Sequence, residues 1–200
     1  MFTVILATKN RHKVRELNRL IRSVPVRFLP MDMFRGLPSA REDGATFRRN
    51  AEKKALAVSR RTILPVLAED SGIEVNALGG RPGVRSARFA GPSRNDSANN
   101  AKLLRLMAPV PPPRRGARFV CCMALAIGGK VVRVFEASCS GTIARESAGK
   151  MGFGYDPLFV PRGCRKTMAQ LGPAVKNRIS HRAKAAAKIE DYLKKFDRSC

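Results

Sequence analysis

The sequence predicts an α/β protein built on a mixed sheet. Two observations carry that expectation. Short apolar runs of strand length alternate along the chain with segments of helical apolar spacing. Late in the chain, two long strand-like runs follow one another as a hairpin, with no helix between them.

The elements follow in order. Thr3-Val4-Ile5-Leu6-Ala7 is an apolar run that reads as a buried strand, broken by Thr8-Lys9-Asn10. Over residues 12–22, Val14, Leu17, Leu20 and Ile21 recur at helical spacing. Residues 26–29 suggest a second strand. Thr46 can cap a helix reaching about Arg60, with Phe47, Ala51, Ala55 and Val58 on one face. Val66-Leu67-Ala68 is expected to be a strand ending directly in Glu69-Asp70-Ser71-Gly72, and the glycine-rich loop 79–83 follows. A third helix is expected over residues 96–107, from Leu103, Leu104 and Met107. The four prolines of residues 108–116 then require an extended connector. Residues 118–127 and 130–138 form the hairpin, turned at Gly128-Gly129, and residues 158–160 give another short strand. Ser180 can cap the last helix, where Ile189, Tyr192, Leu193 and Phe196 make one stripe. There is no internal repeat or low-complexity tract.

A chain of 200 residues, 44% hydrophobic, can bury a core as a single domain spanning 1–200. No apolar run approaches the roughly 18 residues that a membrane span needs. The start has no basic region before a long apolar stretch, so a cytoplasmic protein is expected. Five cysteines, an odd number without a C-x-x-C pair, fit reduced thiols and argue against a disulfide framework or a zinc site. Thirty-nine Lys and Arg against fifteen Asp and Glu give a net charge of +24. Such a field steers polyanions, and at most supports non-specific contact with nucleic acid, because no recognised binding motif is present.

Four polar clusters stand out. Thr8-Lys9-Asn10-Arg11-His12-Lys13 lies between a strand and a helix start, where N–H groups, the dipole and Lys13 suit a phosphate, although there is no P-loop glycine pattern. Glu69-Asp70 places two adjacent carboxylates after a buried strand, an arrangement suited to Mg²⁺ and to orienting a water. In Gly149-Lys150-Met151-Gly152-Phe153-Gly154-Tyr155-Asp156-Pro157, glycines permit close backbone approach, Phe153 can stack on a base and Asp156 can accept hydrogen bonds from it. Lys176-Asn177-Arg178-Ile179-Ser180-His181-Arg182 sets cations at a helix start, where the dipole opposes them unless an anion or carbonyl oxygen lies between. Each cluster also has a plainer reading as a cap, a turn or a solvated surface.

Together and in order, A-x-D-S-G, G-G-x-P-G-x-x-S-A-R, F-G-Y-D-P and S-H-R make the chain resemble the inosine triphosphate pyrophosphatases, or XTP/dITP diphosphatases. The resemblance runs nearly end to end. It implies an elongated mixed β-sheet flanked by helices, with two lobes around a central cleft, and a homodimer. It implies hydrolysis of ITP, dITP and XTP to the monophosphate and pyrophosphate with Mg²⁺. Asp70 would be general base and metal ligand, and Ser71 would touch substrate. Residues 8–13 and Lys176 would hold the triphosphate. Phe153, Gly154, Tyr155, Asp156, His181 and Arg182 would form the base pocket, with Arg182 donating to the six-position carbonyl. The chain departs from the family pattern at Arg41, Arg49 and, in a strand-like stretch, Gln170, all places where an acid is usual. The second metal ligand then falls to Glu42 or Glu69. The competing readings are a catalytically weakened relative, a basic nucleic-acid-binding protein, and a pyrophosphatase acting on modified pyrimidines.

Overall fold

The computed structural model describes residues 2–197, with side chains through Lys195. Cys200 and the side chain of Phe196 lie outside them. Six strands and five helices are described: β1 (Phe2–Leu6), α1 (Arg11–Leu20), β2 (Val26–Pro30), α2 (Phe47–Ser59), β3 (Val66–Val75), α3 (Asp96–Met107), β4 (Gly116–Ile127), β5 (Lys130–Ile143), β6 (Phe159–Pro161), α4 (Met168–Ile179) and α5 (His181–Asp197). The strands form one sheet in the order β2-β1-β3-β4-β5-β6. β1 is parallel to β2 and β3, and β5 is antiparallel to β6, so the sheet is mixed as expected. No helix among the described residues is long and apolar enough to cross a membrane.

Local chemistry accounts for the boundaries. The Asn10 carboxamide oxygen accepts from the backbone N–H groups of His12 and Lys13 and starts α1. Thr46 accepts from Arg49 N–H and starts α2. Gly128 and Gly129, at φ 55° and 76°, supply the left-handed turn between β4 and β5.

Two expectations are corrected. β3 does not end at Glu69 but continues to Val75, so Glu69-Asp70-Ser71-Gly72 lies inside a strand. Gly72 is required there by close packing, since a Cβ would sit 2.3 Å from Ser86 Oγ and 2.8 Å from the Gly83 carbonyl. The stretch around Gln170, expected to be strand-like, is helix α4. Its start is a capping box: Thr167 accepts from Gln170 N–H, and the Gln170 side chain accepts from Thr167 N–H. Gly172, at φ 76°, interrupts this helix just before Pro173.

The chain divides into two compact units, and the division falls within β3, β4 and β5. The first comprises residues up to Asp70, residues 121–137 and residues from Arg182 onward. Its core joins Val14 and Leu17 of α1, Leu67 of β3, Met123 of β4, and Ala185 and Ile189 of α5. The second comprises residues 71–120 and 138–181. Its core joins Ile73, Leu103, Met107, Phe119, Leu158 and Phe159. Each fully buried large side chain contributes roughly 1.5–3 kcal/mol.

Candidate active site

In the first unit, neighbouring residues of β3 point to opposite faces, as a pleated strand requires. Glu69 and Asp70 therefore enter different surroundings. Asp70 is buried, with Oδ1 2.9 Å from Lys54 Nζ and Oδ2 accepting from Asn50 Nδ2 at 3.1 Å. Lys54 Nζ also donates to Glu42 Oε1 at 2.9 Å and to the Glu69 carbonyl at 2.7 Å. One ammonium thus lies among three oxygens, two from the adjacent Glu69 and Asp70 of β3 and one from Glu42. Burial pushes the Asp70 carboxyl above its ordinary 3.8, against Lys54 and Asn50, which favour the carboxylate. Burial works against the Lys54 charge, but Asp70 and Glu42 outweigh it and raise the ammonium above its ordinary 10.5.

Glu69 faces the other way. Arg182 grips it through Nε to Oε2 at 2.8 Å and Nη2 to Oε1 at 2.7 Å, and Lys13 Nζ stands 3.1 Å from Oε1. A third Arg182 bond runs from Nη1 to Glu16 Oε2 at 2.7 Å. With 1% of its surface exposed, Arg182 is an internal crosslink of the first unit. Glu69, expected as a metal ligand, is thus engaged by cations through its side chain, and Arg182, expected at the base, is bound to carboxylates.

Residues 8–13 bond much of their own backbone within the loop. Asn10 N–H is taken by Thr8 Oγ1, and the His12 and Lys13 N–H groups by Asn10. These three backbone donors are therefore satisfied within the loop. Arg11 pairs with Asp32 at 2.9 Å, while the side chains of Lys9 and His12 are exposed. Cationic side chains, more than helix-end N–H groups, are what this segment offers a phosphate.

In the second unit, Phe153 N–H and Lys176 Nζ both donate to Asp156 Oδ2, at 3.0 and 2.6 Å. Lys176 Nζ also lies 4.3 Å from the centre of the Phe153 ring. Phe153 is 39% exposed. Gly152 sits at φ 87°, and a Cβ there would lie 2.1 Å from Asp156 Oδ2. Asp96 Oδ2 accepts from Gly154 N–H at 2.7 Å, and Asn100 Nδ2 donates to the Gly154 carbonyl at 3.0 Å, so α3 clamps the loop from both sides. Tyr155 is a core residue whose hydroxyl donates to the Ser86 carbonyl at 2.8 Å. Asp156 is 3% exposed and bonded within the loop. Tyr155 and Asp156, expected to contact ligand, are thus bonded within the protein, while the Phe153 ring is partly exposed. Lys176, expected on a triphosphate, is bonded to this loop from α4. His181 is buried and stacks on Phe119, centroids 4.7 Å apart and planes 8° from parallel. Ser71 is half-buried at the start of the second unit's part of β3.

Among the described residues, no three His, Cys, Asp or Glu side chains converge as a complete metal cage. The oxygens around Lys54 Nζ, from Asp70, Glu42 and the Glu69 backbone, are nonetheless the hard donors that Mg²⁺ prefers. That ion commonly takes one or two carboxylates and completes its shell from substrate phosphates and water. The donor set fits, with Asp70 and Glu42 as the carboxylates.

The model of the Ham1 family matches residues 4–192. The chain belongs to the Ham1 family. It is 50% identical to the dITP/XTP pyrophosphatase of Geobacillus kaustophilus, with 96% of this chain and 94% of the relative covered. It is 47% identical to that of Desulforamulus reducens, with 96% of each covered. A HAM1 protein from Coxiella burnetii superposes with a TM-score of 0.88 at 36% identity, over 98% of this chain and 100% of that one. The Ham1 protein of Staphylococcus aureus does so with 0.86 at 34% identity, over 96% and 98%. The mixed α/β fold of this Ham1 chain is thus that of solved relatives.

Sequence reasoning missed Asn50 and Lys54 as site residues. Their signal was available: both fall on the apolar face of α2 with Ala51, Ala55 and Val58, where a buried polar pair needs partners. The departures from the Ham1 pattern also find their places. Arg41 and Arg49 are exposed, and Gln170 serves the cap of α4.

Proposed function

We propose that this Ham1 chain hydrolyses non-standard purine nucleoside triphosphates, ITP, dITP and XTP, to the monophosphate and pyrophosphate. The observation that carries the reading is the buried Asp70 carboxylate, positioned by Lys54 and Asn50 in a chain 50% identical to a dITP/XTP pyrophosphatase. A carboxyl raised above its ordinary value is a better proton acceptor. In the proposed reaction the oxygen of a water attacks the α-phosphorus, and Asp70 takes the water's proton. The bond from the α-phosphorus to the bridging oxygen breaks, and that oxygen leaves on pyrophosphate. Lys54, Lys9 and Lys13 offset charge on the phosphates. Mg²⁺, held by Asp70 and Glu42, would supply Lewis-acid charge stabilisation of the triphosphate oxygens. In the second unit, Phe153 offers a ring face for stacking, a contact that any purine satisfies.

A homodimer and a cytoplasmic location complete the reading, and sedimentation of the purified chain tests the first. The deciding assay is pyrophosphate release from ITP, dITP, XTP, ATP, GTP and modified pyrimidine triphosphates, with and without Mg²⁺. The expected result is metal-dependent release from the first three, with ATP and GTP poor. Equal rates across the panel, or none, would overturn it.

A further inference from the structure

The strongest unexplained feature is where the Lys54 ammonium sits. A lysine serving only as an ion-pair partner needs one carboxylate. Lys54 Nζ has two, at 2.9 Å each, and a backbone carbonyl at 2.7 Å, so its three donors each meet an oxygen. Those are the same oxygens that make the set fit a hard divalent ion. Lys54 is 11% exposed and Asp70 12%, so water screens that pair poorly, while Glu42, at 26%, is the side of the cluster open to solvent. Asn50 fixes Asp70 from the other side, and α2 carries both Asn50 and Lys54 one turn apart. The cluster is therefore held in place by its scaffold and is not a chance surface pair.

We propose that Lys54 is a resident cation that fills the divalent-metal seat of the free protein, so that a metal ion enters only as Lys54 leaves. The proposal rests on the metal assignment made under the functional reading. Two positive charges drawn to one small group of oxygens repel each other, and each weakens the hold of the group on the other. A compact ammonium on a flexible four-carbon stem is suited to withdrawing from such a seat, as a guanidinium fixed by a planar fork is not. A triphosphate arriving with its own metal offers the ammonium replacement oxygens, so metal and nucleotide are taken up together. The free protein should then bind divalent metal weakly in spite of two converging carboxylates, and its fold should be indifferent to chelators.

The test reads metal binding directly. Mn²⁺, which takes the same oxygen donors as Mg²⁺, is titrated into the nucleotide-free full chain and followed by its electron paramagnetic resonance signal. Lys54→Met removes the charge and keeps the bulk, and it should tighten Mn²⁺ at least about tenfold over wild type, by removing a competing charge. Lys54→Gln, a polar replacement should Met disturb folding, should do the same. Adding Asp70→Asn to either variant should abolish the gain and so locate it. Unchanged or weaker Mn²⁺ binding in folded Lys54 variants would overturn the proposal, as would a gain that survives Asp70→Asn. The competition is a property of the free protein, so it is read separately from pyrophosphate release. Failure to release pyrophosphate from ITP, dITP and XTP would remove the functional reading alone.

Discussion

Asp70 and Arg182 are both buried charges, yet their surroundings give them opposite duties. Asp70 meets one ammonium and one amide, and burial still holds its carboxyl above the usual range. Asp70→Asn should retain the melting temperature to within a few degrees while cutting kcat by at least about 10²-fold; near-wild-type turnover would remove Asp70 from the reaction. Asn50 bears on the pH profile. Its amide favours the ionised carboxylate, so Asn50→Ala should raise the Asp70 pKa further. The base is active above its pKa and lost below it, so the acid limb of kcat/KM should move to higher pH in the variant, and an unmoved limb would assign that limb to another group. Arg182 is held by Glu69 and Glu16, which predicts an effect on stability. Arg182→Ala takes the guanidinium away from buried Glu69, and should cost about 3 kcal/mol in urea unfolding, within the range for breaking a buried pair. Any loss of activity should then fall alike on ITP and ATP. A selective loss on ITP with unchanged stability would return Arg182 to base recognition.

At the scale of elements, the loop between β5 and β6 depends on groups outside itself. Asp96 and Asn100 of α3 clamp Gly154, and Lys176 of α4 holds Asp156. Gly152 is fixed by both its φ of 87° and the Asp156 carboxylate, which occupies the space a side chain would need. Gly152→Ala should therefore displace Phe153, raising KM for ITP several-fold more than it lowers kcat. An unchanged KM would show that Phe153 does not contact substrate. The capping box of α4 is a separate test of local structure. Thr167→Ala should cost about 1 kcal/mol of unfolding free energy, the usual value of an N-cap.

For the whole molecule the dominant fact is the charge of +24. Most of the ion pairs on its surface involve exposed side chains and contribute little to stability, such as Arg11–Asp32 and Arg48–Glu52. The excess acts at a distance. If its role is to steer a triphosphate, kcat/KM should fall steeply between low and physiological salt while kcat at saturation stays nearly constant, because the long-range field is screened and the bound contacts are not. A parallel fall in kcat would place the salt effect on the catalytic contacts themselves.

The succession of elements was legible because it depends on local pattern. The 3.6-residue apolar spacing of α1, α2 and α3 and the diglycine turn between β4 and β5 are decided within a few residues of chain. Asp70, Phe153 and Lys176 drew attention in the same way, as unusual residue types in order, and their roles stand as proposals. What the linear text could not supply was which neighbour each polar atom would meet. Glu69 and Asp70 are adjacent in sequence and read as one acidic pair, but a strand turns them to opposite faces, one to Arg182 from the far end of the chain and one to Lys54 of α2. Lys54 and Asn50 looked like ordinary helix residues until α2 packed and brought them to Asp70. Fold class and chemistry-bearing residues were set by periodicity and composition, which are local; the partner of each buried charge was set by packing, which is not.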